Sequence, residues 1–444
     1  MKLAIASLVA LAAATALATT SWAAPLDPPA TVAAINAVTA KNWPELDALY
    51  KDIHAHPELG HQETRTAALL AAKMRGLGLE VTEHVGGTGV VAILKNGPGP
   101  VVMVRTELDA LPMEEKTGLP YASHVQVTEG DKTTFVAHSC GHDNHMAWWV
   151  GTAEALLALK SQWSGTVMFI AQPAEETVGG ASGMLKDGLF TRFPKPDFGF
   201  AAHVSNLPVG TVIVKDGGYN SNADALDIVF KGRGAHGSMP SASIDPIVEA
   251  AHFVTDVQTV VSRQKDAGTF GVITVGAFQA GTVGNIIPDH AELKLTLRSF
   301  SPDVRQLLLD GVTRTANAAA AMAEAPPPVI TSEGAAAAVV NDHDLAVKVG
   351  ATLAAAGGDK TILLPASAPG ISASEDYSEF IIAGVPSLYM TVGGYDAATL
   401  ADYKAKGEPV PTNHSPFFAP DHNAAIPTGI RTLTLAVLTV APAK

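Results

Sequence analysis

The pattern of apolar positions along the chain predicts an alternation of buried strands and helices. Residues 101–105, 166–171 and 198–202 form almost continuous apolar runs, which are typical of strands buried on both faces of a parallel sheet. Residues 146–159 instead carry apolar side chains at helical spacing. This order predicts an α/β fold in which a mostly parallel sheet has helices on both faces.

The segment from residue 222 to residue 332 follows a different pattern. Its predicted elements run strand, helix, strand, strand, helix, strand, which is the order of a ferredoxin-like βαββαβ unit. The α/β pattern resumes after it with helices at 345–356 and 427–440. We therefore predict an inserted domain of residues 222–332 within a larger domain made of residues 25–221 and 333–444.

The first 24 residues have the order of a secretory signal peptide. Lys2 is followed by an apolar run over residues 3–17 and then by residues 21–24 ahead of Pro25. An uncleaved membrane anchor is the alternative, although the run is short for a span and no other run reaches about 18 apolar residues. We expect a cleaved chain that is periplasmic or secreted and has no membrane span.

Composition and charge narrow the class of protein further. At about 150 residues per domain, the 444 residues suggest two or three domains. A hydrophobic share of 47% with 16% charged residues excludes a disordered or fibrous chain. The net charge of -14 leaves no basic footprint for nucleic acid. Cys140 is the one cysteine, so the chain forms no internal disulfide.

Candidate chemistry is densest around Cys140 and His142. The two residues are two positions apart, so in an extended segment their side chains point the same way. Thiolate and imidazole are both good ligands for zinc and similar divalent ions. Two alternatives stay open here: a buried cysteine beside surface histidines, and a nucleophilic cysteine with a histidine base.

Polar residues also follow two of the predicted buried strands. Glu175 and Glu176 come after the second strand, and His203 directly follows the third, at strand ends where open α/β sheets collect their ligands. His414 lies near the C-terminus. An exposed glutamate pair and structural histidines are the alternative interpretations. Taken together, sulfur, nitrogen and oxygen ligands are available for two adjacent metal ions, with Glu175 as a spare carboxylate: Cys140, His142, Glu176 and His203.

Several motifs in sequence order make the chain similar to a known family. It resembles the aminoacylase and metal-dependent exopeptidase family, specifically the amidohydrolase branch of hippurate hydrolases, N-acetyl-amino-acid deacetylases and indole-acetyl-amino-acid hydrolases. The resemblance covers nearly all of the chain after the signal peptide. It rests on motifs at residues 54–60, 109–112, 138–143, 172–176, 234–236, 244–246, 285–288, 374–377 and 414–416.

The resemblance implies a set of site residues. It implies that Glu175 is the general base and that Asp109 orients the metal site. His236, on the inserted domain of a homodimer, is expected to reach the substrate of the partner subunit and stabilise its oxyanion. Asn285 and Arg298 are expected to contact or shape the substrate pocket. The family binds two divalent metal ions per subunit, here zinc, manganese, cobalt or nickel, and the implied ligands are Cys140, His142, Glu176, His203 and His414.

The predicted function is that of an exported amidohydrolase acting on N-acyl amino acids or small peptides. The expected reaction uses a metal-activated water and Glu175 as its base. A metallo-carboxypeptidase or dipeptidase of the same family is the alternative, followed by a non-catalytic periplasmic binding protein. Two residues depart from the family pattern. Glu107 replaces the usual aspartate ahead of Asp109, and we assign it no role; Ser241 replaces a histidine after the His236 motif.

Overall fold

The computed structural model describes residues 26–443. The predicted signal peptide, residues 1–24, lies outside the described residues. Within the described part of the chain, we find no helix with the length and apolar character needed to cross a membrane.

The described residues form eleven α-helices and eighteen strands, besides short 3-10 and π-helical turns. The helices are α1 Pro28–Ala55, α2 Thr64–Gly76, α3 His142–Ala158, α4 Gly180–Lys186, α5 Leu189–Arg192, α6 Pro246–Asp256, α7 Pro302–Met322, α8 His343–Ala356, α9 Ser378–Ile382, α10 Ala397–Lys406 and α11 His422–Val440. The strands are β1 Glu80–Val85, β2 Gly89–Asn96, β3 Val101–Glu107, β4 Gln126–Glu129, β5 Lys132–Phe135, β6 Gly165–Gln172, β7 Phe198–Pro208, β8 Thr211–Lys215, β9 Gly217–Asn220, β10 Ala223–Lys231, β11 Ala235–His236, β12 Gly271–Ala280, β13 Ile286–Ile287, β14 His290–Ser299, β15 Val329–Ala336, β16 Val339–Asn341, β17 Lys360–Leu364 and β18 Ser387–Tyr395.

Eight strands form a large mixed sheet in the order β1-β2-β6-β3-β7-β18-β8-β17. Its centre, from β6 to β18, is parallel, while β1, β2 and the β18–β8 pair run antiparallel. One apolar core packs α1, α3, α8 and α11 against one face, and a second core packs α4 and α9 against the other. The predicted α/β fold with helices on both faces is confirmed.

Helix α3 lies at the centre of the larger core, since Trp148 and Trp149 are both fully buried. Helix α11 crosses it closely at Gly429, where an added Cβ would lie 2.1 Å from Trp148 Cε3. Only glycine permits that approach. The tight contact fixes α3, whose first residue, His142, belongs to the predicted metal site.

A second sheet is built from the segment that was predicted as an insertion. It has the antiparallel order β12-β14-β10-β15, and α6 and α7 contribute to its own apolar core. Along the chain the elements run β10-α6-β12-β14-α7-β15, as expected of a βαββαβ unit. Strand β15 continues to Ala336, and the domain boundaries at 222 and 332 stay a prediction.

Candidate active site

Three neighbouring parallel strands bring their polar residues to one edge of the large sheet. Strand β3 ends at Glu107, shortly before Asp109, and β6 ends at Gln172, shortly before the Glu175–Glu176 pair. His203 lies inside β7 and not after it, because β7 continues in parallel register with β18, where Thr391 stands opposite His203. The site forms at this edge, as parallel sheets favour.

The loop ahead of α3 carries Cys140 to the same place. Gly141 has a φ of 90°, and an added Cβ would lie 2.3 Å from Val204 Cγ1. This left-handed conformation and close approach both require glycine. They set Cys140 Sγ 3.4 Å from His203 Nε2.

The C-terminal loop that carries His414 is tied to the Cys140 loop. The His414 amide donates to Ser139 O at 2.9 Å, and the Asn413 side-chain amide donates to Cys140 O at 2.8 Å. His414 adopts a φ of 66°, which non-glycine residues adopt rarely. Its Nε2 lies 3.3 Å from Glu176 Oε2.

All five predicted ligands meet in two overlapping groups. In each group, the candidate ligand atoms lie within 4.8 Å of one another. Cys140 belongs to both of these groups. The groups are Cys140 with His142 and His203, and Cys140 with Glu176 and His414.

The donor atoms fit divalent metal ions. His142 Nε2 and Glu176 Oε1 are buried and lack a hydrogen-bond partner anywhere in residues 26–443. Such orphaned polar atoms are rare in native proteins. A convergent sulfur, nitrogen and oxygen donor set in which these two atoms have no hydrogen-bond partner is satisfied by a cation such as zinc.

Asp109 orients both ends of the cluster. Its backbone oxygen accepts from His142 Nδ1 at 2.8 Å, so Nδ1 carries a proton and Nε2 is the nitrogen that faces Glu175 and Glu176. Its side-chain Oδ2 accepts the Glu176 amide at 2.9 Å. Outer partners of this kind fix the tautomer and the ring orientation of a ligand.

Glu175 belongs to neither of the two groups that contain Cys140, but its carboxylate lies within 4.8 Å of the candidate ligand atoms of His142 and Glu176. Its Oε2 lies 3.9 Å from His142 Nε2, and its carboxylate approaches those of Glu375 and Asp376. Burial, followed by the negative charge of Glu375, raises the pKa of Glu175 well above its usual range. A carboxylate with this environment is suited to accept a proton.

The nucleophilic-cysteine alternative is weakened by the electrostatics around Cys140. Burial, followed by the charges of Glu176 and Glu175, raises the pKa of the thiol well above its usual range. Burial also lowers the pKa of the neighbouring His203 to about 3. A thiolate–imidazolium pair is therefore disfavoured here.

A cavity of about 560 Å³ opens over the cluster. Glu175 and four of the predicted ligands line it, with His142 beneath. Arg298 on β14 reaches the same cavity, and among the described residues it is the one lysine or arginine in the lining. The structure thus brings this predicted substrate residue to the site.

The other two predicted substrate residues lie elsewhere on the same chain. His236 pairs with Ile286 in the short β11–β13 ribbon and is exposed. Gly237 donates its amide to Asn285 O at 2.8 Å, which places Asn285 beside it. Neither residue lines the cavity of its own chain, and their roles stay predictions.

Sequence reasoning missed a buried charge network beneath Glu175. The Arg105 guanidinium contacts the Glu107 carboxylate, donates to Glu375 Oε1 at 2.8 Å and to Gln172 Oε1 at 2.9 Å. Tyr389 OH donates to Glu375 Oε2 at 2.6 Å. The presence of Arg105 inside an apolar strand could have indicated this network, because a buried charge requires partners.

A second buried cluster lies behind the start of α3. His54 Nδ1 lies 2.6 Å from Asp143 Oδ2, and its Nε2 lies 3.0 Å from Glu115 Oε1. Asp143 is the second residue of α3, directly after the ligand His142. Among these residues, His54 and Asp143 fall in motifs of the family resemblance, which gave them no role.

Comparison with known proteins places the chain in a family. The family model of peptidase family M20/M25/M40 matches residues 103–437. The chain belongs to this family. As an M20 protein it is a metal-dependent hydrolase that acts on amide C–N bonds, which confirms the predicted enzyme class.

Curated relatives of this M20 enzyme align with about three fifths of the chain, and a solved structure aligns with most of it. N-acetylcysteine deacetylase of Bacillus subtilis (strain 168) is 38% identical over 280 residues, or 61% of this chain and 69% of the relative. Hippurate hydrolase of Campylobacter jejuni is 39% identical over 271 residues, or 59% and 66%. The aligned parts therefore span about two thirds of each relative. The crystal structure of Bacillus subtilis YXEP protein, described as a dinuclear metal binding peptidase from the M20 family, has a TM-score of 0.73 and 29% identity, over 91% of this chain and 99% of that chain.

Proposed function

We propose that this M20 enzyme is an exported homodimer that uses two divalent metal ions to hydrolyse N-acyl amino acids or small peptides. The observation that carries the proposal is Arg298, which lines the same cavity as the metal ligands and Glu175. A guanidinium beside amide-cleaving groups fits a substrate with a free carboxylate next to the scissile bond. Relatives named N-acetylcysteine deacetylase and hippurate hydrolase support this substrate class.

The chain's own residues take distinct roles in the proposed reaction. When bound, the two ions supply an acidified water and a positive partner for the scissile carbonyl. Glu175 accepts the proton released on attack and returns it to the leaving nitrogen. Asp109 keeps His142 Nε2 directed at the cluster. The residues that would hold the ions are Cys140, His142, Glu176, His203 and His414.

Three further predictions complete the proposal. His236 of the partner subunit would stabilise the oxyanion, with Asn285 beside it, because neither residue reaches the cavity of its own chain. Export rests on the signal-peptide pattern of residues 1–24. The mixed donor set accepts zinc, manganese, cobalt or nickel.

A matched substrate pair tests the proposed role of Arg298. N-benzoylglycine and N-benzoylglycinamide differ only in the free carboxylate. We expect Arg298→Ala to lower kcat/KM for N-benzoylglycine about 10- to 100-fold, the value of a charged hydrogen bond, and to leave the amide nearly unchanged. Arg263→Ala serves as the control, because Arg263 is exposed and does not line the cavity. Equal losses on both substrates would contradict the role, and a wild-type enzyme inactive on N-acyl amino acids and dipeptides would contradict the function.

A further inference from the structure

The backbone N–H and C=O of Val204 fix the proton positions of two histidines. The Val204 amide donates to His145 Nε2 at 2.9 Å, and its carbonyl lies 2.8 Å from His203 Nδ1. An amide can only donate and a carbonyl can only accept. His145 therefore carries its single proton on Nδ1, and so does His203. His203 is left with an unprotonated Nε2, which lies 3.4 Å from Cys140 Sγ.

The second nitrogen of His145 is bound by Glu107. His145 Nδ1 donates to Glu107 Oε2 at 2.8 Å, and the other carboxylate oxygen contacts the Arg105 guanidinium. All three residues are at most 1% exposed. Glu107 thus connects the buried charge network to His145. His145 in turn binds the backbone N–H of Val204, the residue whose C=O accepts from His203.

Ring packing holds His145 in the orientation that these bonds require. Its ring stacks on Trp148 with centroids 4.6 Å apart and meets the edge of His203 at 4.4 Å. His145 lies three residues after His142 on α3, so both histidines face the same side of the helix. The helix fixed by the Gly429 crossing therefore also fixes this ring.

We infer that Glu107 and His145 are positioning residues for the metal ligand His203. Neither needs to contact substrate or metal; together they anchor the backbone of Val204 and so direct His203 Nε2 toward Cys140. The inference rests on the proposed function, in which His203 is a ligand. It gives a role to Glu107, the residue that departs from the family pattern, because its carboxylate spans from Arg105 to His145.

Metal affinity provides the test in the full-length enzyme. Glu107→Gln keeps the size of the side chain, but its amide offers only one acceptor oxygen. Its NH2 group must then face a donor of either Arg105 or His145. We expect the dissociation constant of the ion bound by His203 to rise about 10- to 100-fold, as the loss of an outer partner does. Zinc competition with a chromophoric chelator measures it, and Glu107→Asp, which keeps the carboxylate, should recover part of the affinity.

Reference variants separate the inference from the proposed function. His203→Ala should remove one of two ions; two tightly bound ions in that variant would overturn the ligand assignment itself. Glu249→Gln is the matched control, since Glu249 is a fully buried glutamate in the small sheet's core layer. If His203→Ala loses an ion while Glu107→Gln binds both as tightly as this control, the positioning role is wrong.

A measurement on the unaltered enzyme decides the matter if Glu107→Gln does not fold. Nitrogen-15 spectra of histidine-labelled, zinc-loaded enzyme report the tautomer of each ring. We expect a neutral His145 protonated on Nδ1. A proton on Nε2, or on both nitrogens, would break the bond from Val204 and overturn the inference.

Discussion

The carboxylate of Glu63 accepts the backbone amide of Ala174 at 2.7 Å, one residue ahead of Glu175. Its other oxygen accepts the Thr88 hydroxyl at 2.6 Å. Glu63 is fully buried, and Ala174 has a φ of 49°, a conformation that alanine adopts rarely. Glu63 therefore holds the strained turn that aims the proposed base at the ligands.

Substituting Glu63→Ala should lower kcat about 10- to 100-fold, since a small misplacement of a reacting group has an effect of that order. Glu63→Gln retains an acceptor for the Ala174 amide and should recover most of the activity. The comparison requires kcat and bound metal from the same preparations. Loss of metal in both variants would show that Glu63 supports the ligands and not the base.

Glu175→Gln isolates the proton transfer from the architecture. The variant keeps the size of the side chain and removes its basicity, so kcat should fall about 10²- to 10⁴-fold. Bound metal and melting temperature should stay near wild type. A decrease in kcat of less than about tenfold with metal in place would exclude Glu175 as the base. Parallel loss of metal would make Glu175 a ligand.

Cys140→Ala should remove the donor that both ligand groups share. We expect fewer metal ions per chain and a sharp loss of activity, both measured on protein loaded with the same excess of zinc. Chelation of the wild-type enzyme with EDTA should also abolish activity. A thiol enzyme, by contrast, would keep working without metal. Full metal content and full activity in Cys140→Ala would contradict the assignment.

Complementation tests whether His236 acts across a dimer. His236→Ala and Glu175→Ala should each be inactive alone. A mixed dimer contains one site with both residues intact, so mixing should restore part of the activity. Mass spectrometry of the mixed sample verifies subunit exchange, and exchange without recovery would count against action in trans.

The His54 cluster predicts a pH dependence of stability. Burial opposes protonation of His54, but the hydrogen bonds that its ring donates to the carboxylates of Asp143 and Glu115 outweigh burial and raise the pKa of His54 from 6.5 to about 9. Because the pKa of His54 is higher in the folded state, its protonation contributes fully to the free energy of unfolding below pH 6.5. This contribution is lost as the pH rises through 9. At most about 3 kcal/mol is involved. Urea unfolding measures the free energy of unfolding of metal-free wild type and of metal-free His54→Gln. The difference between these two free energies should decrease from pH 6.5 to pH 9.

The sequence allowed four candidate ligands to be predicted from local signals, whereas the role of His414 was implied only by the family resemblance. Cys140 and His142 are two positions apart, and Glu176 follows a strand that is apolar throughout. The position of Glu176 after β6 follows from the α/β pattern, since parallel strands end at one edge. The same reasoning predicted the order of elements in the small sheet, where each strand and helix has its own periodicity.

Residues that act through distant partners could not be predicted in this way. Arg105 and Glu375 are 270 positions apart and meet only in the folded chain. His145 showed a partial signal, three residues after His142 on one helix, but its bond to Val204 depends on where β7 passes α3. Burial of His54 likewise comes from packing between α1 and α3, which periodicity does not specify.

The position of β18 has a consequence for the order in which the nascent chain can fold. This strand, the last in sequence, lies between β7 and β8. Until residues 387–395 have left the ribosome, β7 and β8 both present open edges, which are prone to pair with other chains. The small sheet is complete by residue 336 and can close first. Because His414 follows even β18, the five predicted ligands can assemble only near the end of synthesis, and a chain released early exposes sheet edges without gaining the candidate site.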